Sequence, residues 1–475
     1  MKLQLKKIGA IETAEIDLNK DLIILTGSNN SGKTYLTNVL YGLYKIPINS
    51  DINFNIVEIT DFNIIENPSI KRKSAILTLN SYDIFSVFEV KILNALGKIA
   101  TKNLSGIFGT GEHNFEESEI HFLRTDKDDF KDLIYRQTFV GSTSNLASKF
   151  GLIEFSKTED SFEVSIRITD FNYQFEEGLK ETHLIQIQNV LLQSYLYAIM
   201  NGGDRKNISI YPAERIAVDV FQKEIRQGSK GNSILYDDGF HMHMHIGRGL
   251  NASNYTNPIS KNENVGISIA IKDFVNSIST MPSRKESLSP FSNLADELET
   301  ILLGGKIEMN QDGSINFINQ EGIAIDLNLT SSLVKSLSGL VFYFRHAAQK
   351  NDVLIIDEPE LNLHPKLQIQ ITNFIAKLVN NGFKVIISTH SDYVIRELNT
   401  LIMLGKRGKE SNDLIKKYHY RHDSILKFNR LGVYFLHDHI TENIEVTESG
   451  FDVIAIDDVI SEQNSKSEDV YFSLF

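Results

Sequence analysis

The sequence predicts an α/β fold: a mixed sheet flanked by helices, with a large α+β insertion between its two phosphate-handling motifs. Three short apolar runs, each ending in chemistry, predict it. Leu22-Ile23-Ile24-Leu25 leads into Gly27-Ser28-Asn29-Asn30-Ser31-Gly32-Lys33-Thr34. Val353 to Ile356 ends in Asp357-Glu358, within DVLIIDEPELNLHP. Lys384 to Asp392, KVIISTHSD, carries His390 just beyond its apolar run. Apolar runs of this length, bounded by turn residues, suit buried strands.

The first stretch matches G-x-x-x-x-G-K-[ST], the phosphate-binding loop. Two glycines let the backbone curl so that successive N–H groups converge on phosphate oxygens, aided by the N-terminus of the following helix, read here as Ser31 to Leu43. Lys33 reaches the β- and γ-phosphates as a point charge, and the Thr34 hydroxyl is placed to ligate Mg²⁺. At the end of the second run, Asp357 suits the same metal. Its neighbour Glu358 suits the acceptance of a proton from an attacking water. His390 ends the third run, from which an imidazole can reach a γ-phosphate.

GSNNSGKT, LIIDEPELNLHP and IISTHSD, in this order, resemble the ATP-binding head of the ABC-class P-loop ATPases. Asn29, the E-P-E-L-x-L-H-P continuation and T-H-S narrow the resemblance to the branch holding the SMC, RecF and OLD (overcoming lysogenization defect) proteins. The motif blocks cover about a quarter of the chain. The resemblance implies ATP and Mg²⁺ as ligands, with Gly27, Ser28, Asn29, Asn30, Ser31, Gly32, Lys33 and Thr34 around the nucleotide. It assigns Thr34 and Asp357 to the metal, and Glu358, His390 and Lys33 to catalysis. It further implies a homodimer or higher homo-oligomer through ATP-sandwiched heads, in which a signature serine of one copy meets the ATP of the other.

Composition bounds the rest. The chain has 475 residues, 41% hydrophobic and 23% charged, which is the make-up of a globular protein with room for two to three domains. No run is long enough to cross a membrane. The N-terminal MKLQLKKIGAIETAEIDL alternates polar and apolar residues, as a strand or hairpin does, too early for a signal peptide. Cysteine is absent, which excludes disulfides and thiolate metal sites. The ATP motif points to the cytoplasm. A net charge of −13 argues against wholesale coating of nucleic acid, though a local basic groove remains open.

In order, residues 1–47 read as the first part of the head and 48–303 as the insertion. Residues 304–400 read as the second part, and 401–475 as a C-terminal extension. Within the insertion, Ser74 to Leu79 and Phe162 to Ile168 are β-like, and Ile185 to Met200 is the best helix. Apolar periodicity is not sustained over heptads, so no coiled-coil arm is expected. Ile208 to Val218, ISIYPAERIAV, resembles a segment of OLD-like ATPases. It leaves Arg215 either facing nucleotide or partner, or in a surface ion pair with Glu214. His241, His243 and His245 alternate with methionines, so on a strand they share a face that could ligate metal; the plain alternative is a solvent-facing strand or loop. Arg248, between two glycines, is open to a phosphate role.

Residues 262–303 read as helix in two pieces broken at Met281-Pro282, and Asp312-Gly313 as a hairpin turn. Thr330 to Gly339, TSSLVKSLSG, occupies the signature position. Ser331 and Ser332 are the chosen residues, against a plain N-cap role. The segment departs from the usual pattern at Leu333, where glycine is expected. Leu337-Ser338-Gly339 is nearer the transporter consensus but lies too close to Asp357. Pro365 to Val379 reads as an amphipathic helix with proline at its start. Lys406, Arg407, Lys409, Lys416, Lys417 and Arg421, interleaved with Tyr418, His419, Tyr420 and His422, suit a nucleic-acid backbone or an exposed linker. The tail, 431–475, reads as a few strands and one helix, and is too short for the Toprim nuclease domain of OLD proteins.

The leading expectation is a dimeric ATP-hydrolysing switch without membrane contact, controlling a separate effector, a nuclease or toxin, in bacterial antiviral defence. The alternative is a RecF- or SMC-like repair or recombination ATPase acting on DNA. A transporter subunit and a nuclease in its own right are less favoured, since the insertion is long and no separate acidic or H-N-H constellation stands out.

Overall fold

The computed structural model describes residues 1–45, 63–67, 72–125, 131, 134–135, 139–143, 152–158, 160–169, 207–215, 242–245, 267–280, 288–310, 314–406, 408–452 and 465–474. Nine strands among them form the main sheet: β1 (Lys2–Ile8), β2 (Ile11–Asp17), β3 (Leu22–Gly27), β4 (Glu119–Leu123), β5 (Ile208–Tyr211), β6 (Val353–Asp357), β7 (Lys384–Thr389), β8 (Leu431–His437) and β9 (Ile440–Ile444). Their order is β5-β6-β7-β3-β8-β9-β2-β1-β4. The first five run parallel. The β8–β9, β1–β2 and β1–β4 pairs are antiparallel. Strands from within 48–303 (β4, β5) and from 401–475 (β8, β9) thus join the same sheet as those of the two motifs.

The helices that matter for the site are α1 (Lys33–Leu43), α2 (Ser81–Lys102), α3 (Ile269–Thr280), α4 (Ser292–Leu298), α5 (Ser332–His346), α6 (Pro365–Asn380) and α7 (Asp392–Met403). Strand side chains alternate between two cores. Ile23, Leu25, Ile355 and Ile386 join Leu36, Val39 and Leu40 of α1 on one face. Leu22, Ile24, Leu354, Ile356, Val385 and Ile387 join Phe344, Ile375 and Leu398 of α5, α6 and α7 on the other. Helices on both faces explain why β3, β6 and β7 are apolar nearly throughout.

The helix ends follow local chemistry. Ser331 caps α5 by accepting from the Val334 N–H, and Ser391 caps α7 by accepting from Val394 N–H. Pro365 opens α6, where its missing N–H costs no helical bond. The 262–303 reading resolves into α3, α4 and a π-helical turn at Glu299–Leu303. Gly305–Met309 and Ile315–Asn319 pair antiparallel; Asp312-Gly313 lies outside the described residues. A separate antiparallel sheet of six strands holds Arg72–Asn80, Leu152–Lys157 and Glu163–Thr169, and ends on Met242–His245. Ile185–Met200, His241 and Arg248 lie outside the described residues. Among those described, no helix is long and apolar enough to cross a membrane.

Candidate nucleotide site

β3 ends in the middle of the parallel half, and the loop 27–32 carries it into α1. Gly27 and Gly32 have φ of +145° and +101°, which side chains rarely tolerate. At Gly27 a Cβ would also lie 2.2 Å from the Leu436 carbonyl oxygen of neighbouring β8. Asn30 takes φ +61°, which asparagine accepts more readily than most. The loop wraps Lys33, whose Nζ donates to Ser28 O (2.7 Å), Gly27 O (3.2 Å) and Ser31 Oγ (3.2 Å). Burial pushes its ammonium down to about 8, against the pull of Glu358, Asp357 and Glu360. No side chain caps α1 and no acid occupies its first turn, so its N-terminal amides suit an incoming anion.

The two motifs, far apart in sequence, meet here. β7 lies between β3 and β6 in register, pairing Ser388 with Leu25 on one side and with Asp357 on the other. Thr34 Oγ1 donates to Asp357 Oδ2 at 3.0 Å, and Ser388 Oγ donates to Asp357 Oδ1. Burial raises the Asp357 carboxyl, and those two hydroxyls oppose the rise. A threonine hydroxyl beside a carboxylate is a hard-oxygen donor set, of the kind Mg²⁺ takes.

Glu358 leaves β6 with φ +49°, unusual for a residue with a side chain. Its N–H donates to Ser388 Oγ (3.0 Å) and Ser388 O (3.2 Å). Its Oε1 lies 3.3 Å from His390 Nε2, with both side chains partly exposed. That imidazole contact, ahead of Lys33 and Arg215, holds the Glu358 carboxyl below its ordinary range. Glu360 accepts from Thr389 Oγ1 (2.7 Å) and from the His390 N–H (2.9 Å). Its second oxygen is buried without a hydrogen-bond partner, and burial raises its carboxyl.

The sequence pattern alone gives Ser388 and Glu360 no role, although both sit inside the motifs. Ser388 is placed by strand register, which pairing sets, and Glu360 by the turn after β6 that brings it to Thr389 and His390. Arg215 is a correction. It is no surface residue: it is 1% exposed and donates to the carbonyl oxygens of Asp357 (2.7 Å), Glu358 (2.8 Å) and Pro212 (3.1 Å).

Ser331 and Ser332 are exposed at the start of α5, and the hydrogen bonds of Ser331 stay within that helix. They are not drawn to the loop 27–34 of their own chain. His364 caps α6, its Nδ1 accepting weakly from the Lys366 N–H at 3.4 Å. In the basic interval Lys409–Lys417 is a short helix with Lys416 and Lys417 exposed, while Arg421 is engaged by Asp423 and Glu297. Among the described residues no cluster of three histidine or acidic side chains is arranged to hold a metal ion.

A family model described as an AAA ATPase domain matches residues 1–395. No curated protein matches the chain. Solved structures that match include an Smc head bound to the C-winged helix domain of ScpA, at 11% identity and TM-score 0.30, covering 93% of this chain and 96% of that one. Another is an Smc head domain with an extended coiled coil, bound to the C-terminal domain of ScpA derived from Pyrococcus furiosus. It is 11% identical with TM-score 0.29, covering 98% of each chain. A third is the SMC head domain from Thermotoga maritima, at 10% identity and TM-score 0.26, covering 94% and 98%.

Proposed function

The chain belongs to the AAA ATPase domain family, and from that premise we propose that it binds and hydrolyses ATP as a dimeric switch controlling a separate effector. The observation that carries the reading is the 3.0 Å hydrogen bond from Thr34 to Asp357, which joins the phosphate loop to the acidic strand. Lys33 and the amides of 27–34 bind the triphosphate. Thr34 and Asp357 would hold Mg²⁺, which would supply positive charge to offset that of the phosphates. Glu358 takes the proton of the attacking water, and His390, 3.3 Å from it, orients that carboxylate and meets the γ-phosphate.

Ser331 and Ser332, exposed at a helix N-terminus, are available to the ATP of a second copy, so binding closes the dimer and hydrolysis opens it. The OLD-like motif continuation favours an effector of nuclease or toxin type in antiviral defence, a step that rests on analogy of fold. The exposed Lys409–Lys417 helix favours a second reading, direct action on DNA. Hydrolysis stimulated by duplex with steep salt dependence would select it.

The test compares phosphate release and nucleotide retention in wild type, Lys33→Ala and Glu358→Gln. Lys33→Ala is expected to lose ATP binding. Glu358→Gln is expected to keep ATP, slow hydrolysis by ~10²–10⁴-fold and accumulate dimer. Hydrolysis by Glu358→Gln at the wild-type rate overturns the assignment of the base.

A further inference from the structure

We propose that Arg215 is a positioning residue that holds Glu358 in its catalytic conformation; the inference rests on Glu358 being the acid that activates water. The need for such a residue is written into the edge of the sheet. The β5–β6 ladder ends at the Tyr211–Ile356 pair, and the next residue on β5 is Pro212, which has no N–H to continue it. The carbonyl oxygens of Asp357 and Glu358 lie just past that end, in a largely buried place where an unpaired carbonyl is costly. One guanidinium fork meets both, at 2.7 and 2.8 Å, and ties them to Pro212 O at 3.1 Å.

Glu358 is therefore fixed on both sides. Its N–H is tied to Ser388 and its carbonyl to Arg215. A side-chain-bearing residue keeps φ +49° only where its surroundings over-determine it. Releasing either tie lets the backbone rotate and turns the carboxylate away from His390. A lysine has the same charge, but its donors radiate from one flexible nitrogen, whereas Arg215 meets the two carbonyl oxygens through two separate nitrogens held in one plane. Arg215 reaches the site from the long span between the two motifs, so the placement of that span is felt at Glu358.

The experiment measures kcat, KM and ATP affinity for wild type, Arg215→Lys, Glu358→Gln and the double variant, with thermal melting of each. Arg215→Lys is expected to lower kcat ~100-fold, as misplacement of a reacting group does, with ATP affinity held within about threefold. Because Arg215 acts through Glu358, the double variant is expected to match Glu358→Gln within about twofold. A folded Arg215→Lys with wild-type kcat, or losses that multiply in the double variant, overturns the proposal. So does a fall in melting temperature with kcat per folded molecule unchanged. Should Arg215→Lys not fold, Arg215→Gln, which keeps a planar pair of donors on one nitrogen, carries the same comparison. Wild-type hydrolysis by Glu358→Gln would instead sink the parent reading, so the two failures are distinguishable.

Discussion

The two halves of the main sheet are built from different sequence patterns and do different work. In the parallel half, β3, β6 and β7 are buried on both faces, and their ends carry the phosphate loop, Asp357-Glu358 and His390. In the antiparallel wing, β1, β2 and β4 alternate buried with exposed positions, and the outer residues form ion pairs such as Lys2–Glu15 and Lys6–Glu119. A strand buried on both faces cannot move without disturbing two cores, so it is a rigid mount for a site. A one-faced strand has a solvent side that tolerates change, and that side holds none of the candidate residues.

Core truncation in the parallel half is expected to give the largest effect on stability. Ile386, fully buried on β7 between the two motif strands, should cost about 2–5 kcal/mol as Ile386→Ala, read by urea unfolding. A cost well under 1 kcal/mol would show that this half is not the rigid one. Next comes pH. The Lys33 ammonium sits at about 8 in the free protein, and bound phosphate would raise it. Its contribution to ATP affinity is therefore complete below about 8 and is lost as pH rises, by up to roughly tenfold per pH unit until the pKa of the complex. Titration of ATP affinity from pH 7 to 9.5 checks this. In the wing, Glu15 and Glu117 hold Lys2 and Lys7 above their ordinary range, so no such loss should originate there.

The smallest effect is expected on the solvent side of the wing. Glu15→Ala removes a 2.6 Å ion pair between half-exposed side chains and should change stability by less than ~1 kcal/mol. It should also leave ATP affinity untouched. A loss of several kcal/mol would erase the distinction between the halves.

Much of this is legible in the sequence because it is local. Short apolar runs leading into Gly27, Asp357 and His390 mark β3, β6 and β7, and Ser331, Ser391 and Pro365 mark helix starts through chemistry confined to one turn. Other features are not local. That β8 and β9, from beyond residue 400, join the same sheet depends on β8 pairing with Leu22–Gly27, which no nearby residue signals. The pairing of Ser388 with Asp357 is likewise a matter of strand register across β6 and β7. Arg215 shows the limit most plainly. Pro-Ala-Glu-Arg at a strand exit leaves open a surface ion pair or a role toward nucleotide or partner, whereas the missing N–H of Pro212 and the two carbonyls beyond β6 draw the guanidinium inside.

The sequence by itself determined the α/β class, the phosphate loop and the order of the acidic and histidine motifs, since each is a pattern within about a dozen residues. The tertiary structure alone decided that Thr34 lies 3.0 Å from Asp357, that Glu358 faces His390, and that a buried arginine from the intervening span holds the acids' backbone. These are distances between strands brought together by burying two cores, and the spacing of residues along a chain does not encode them.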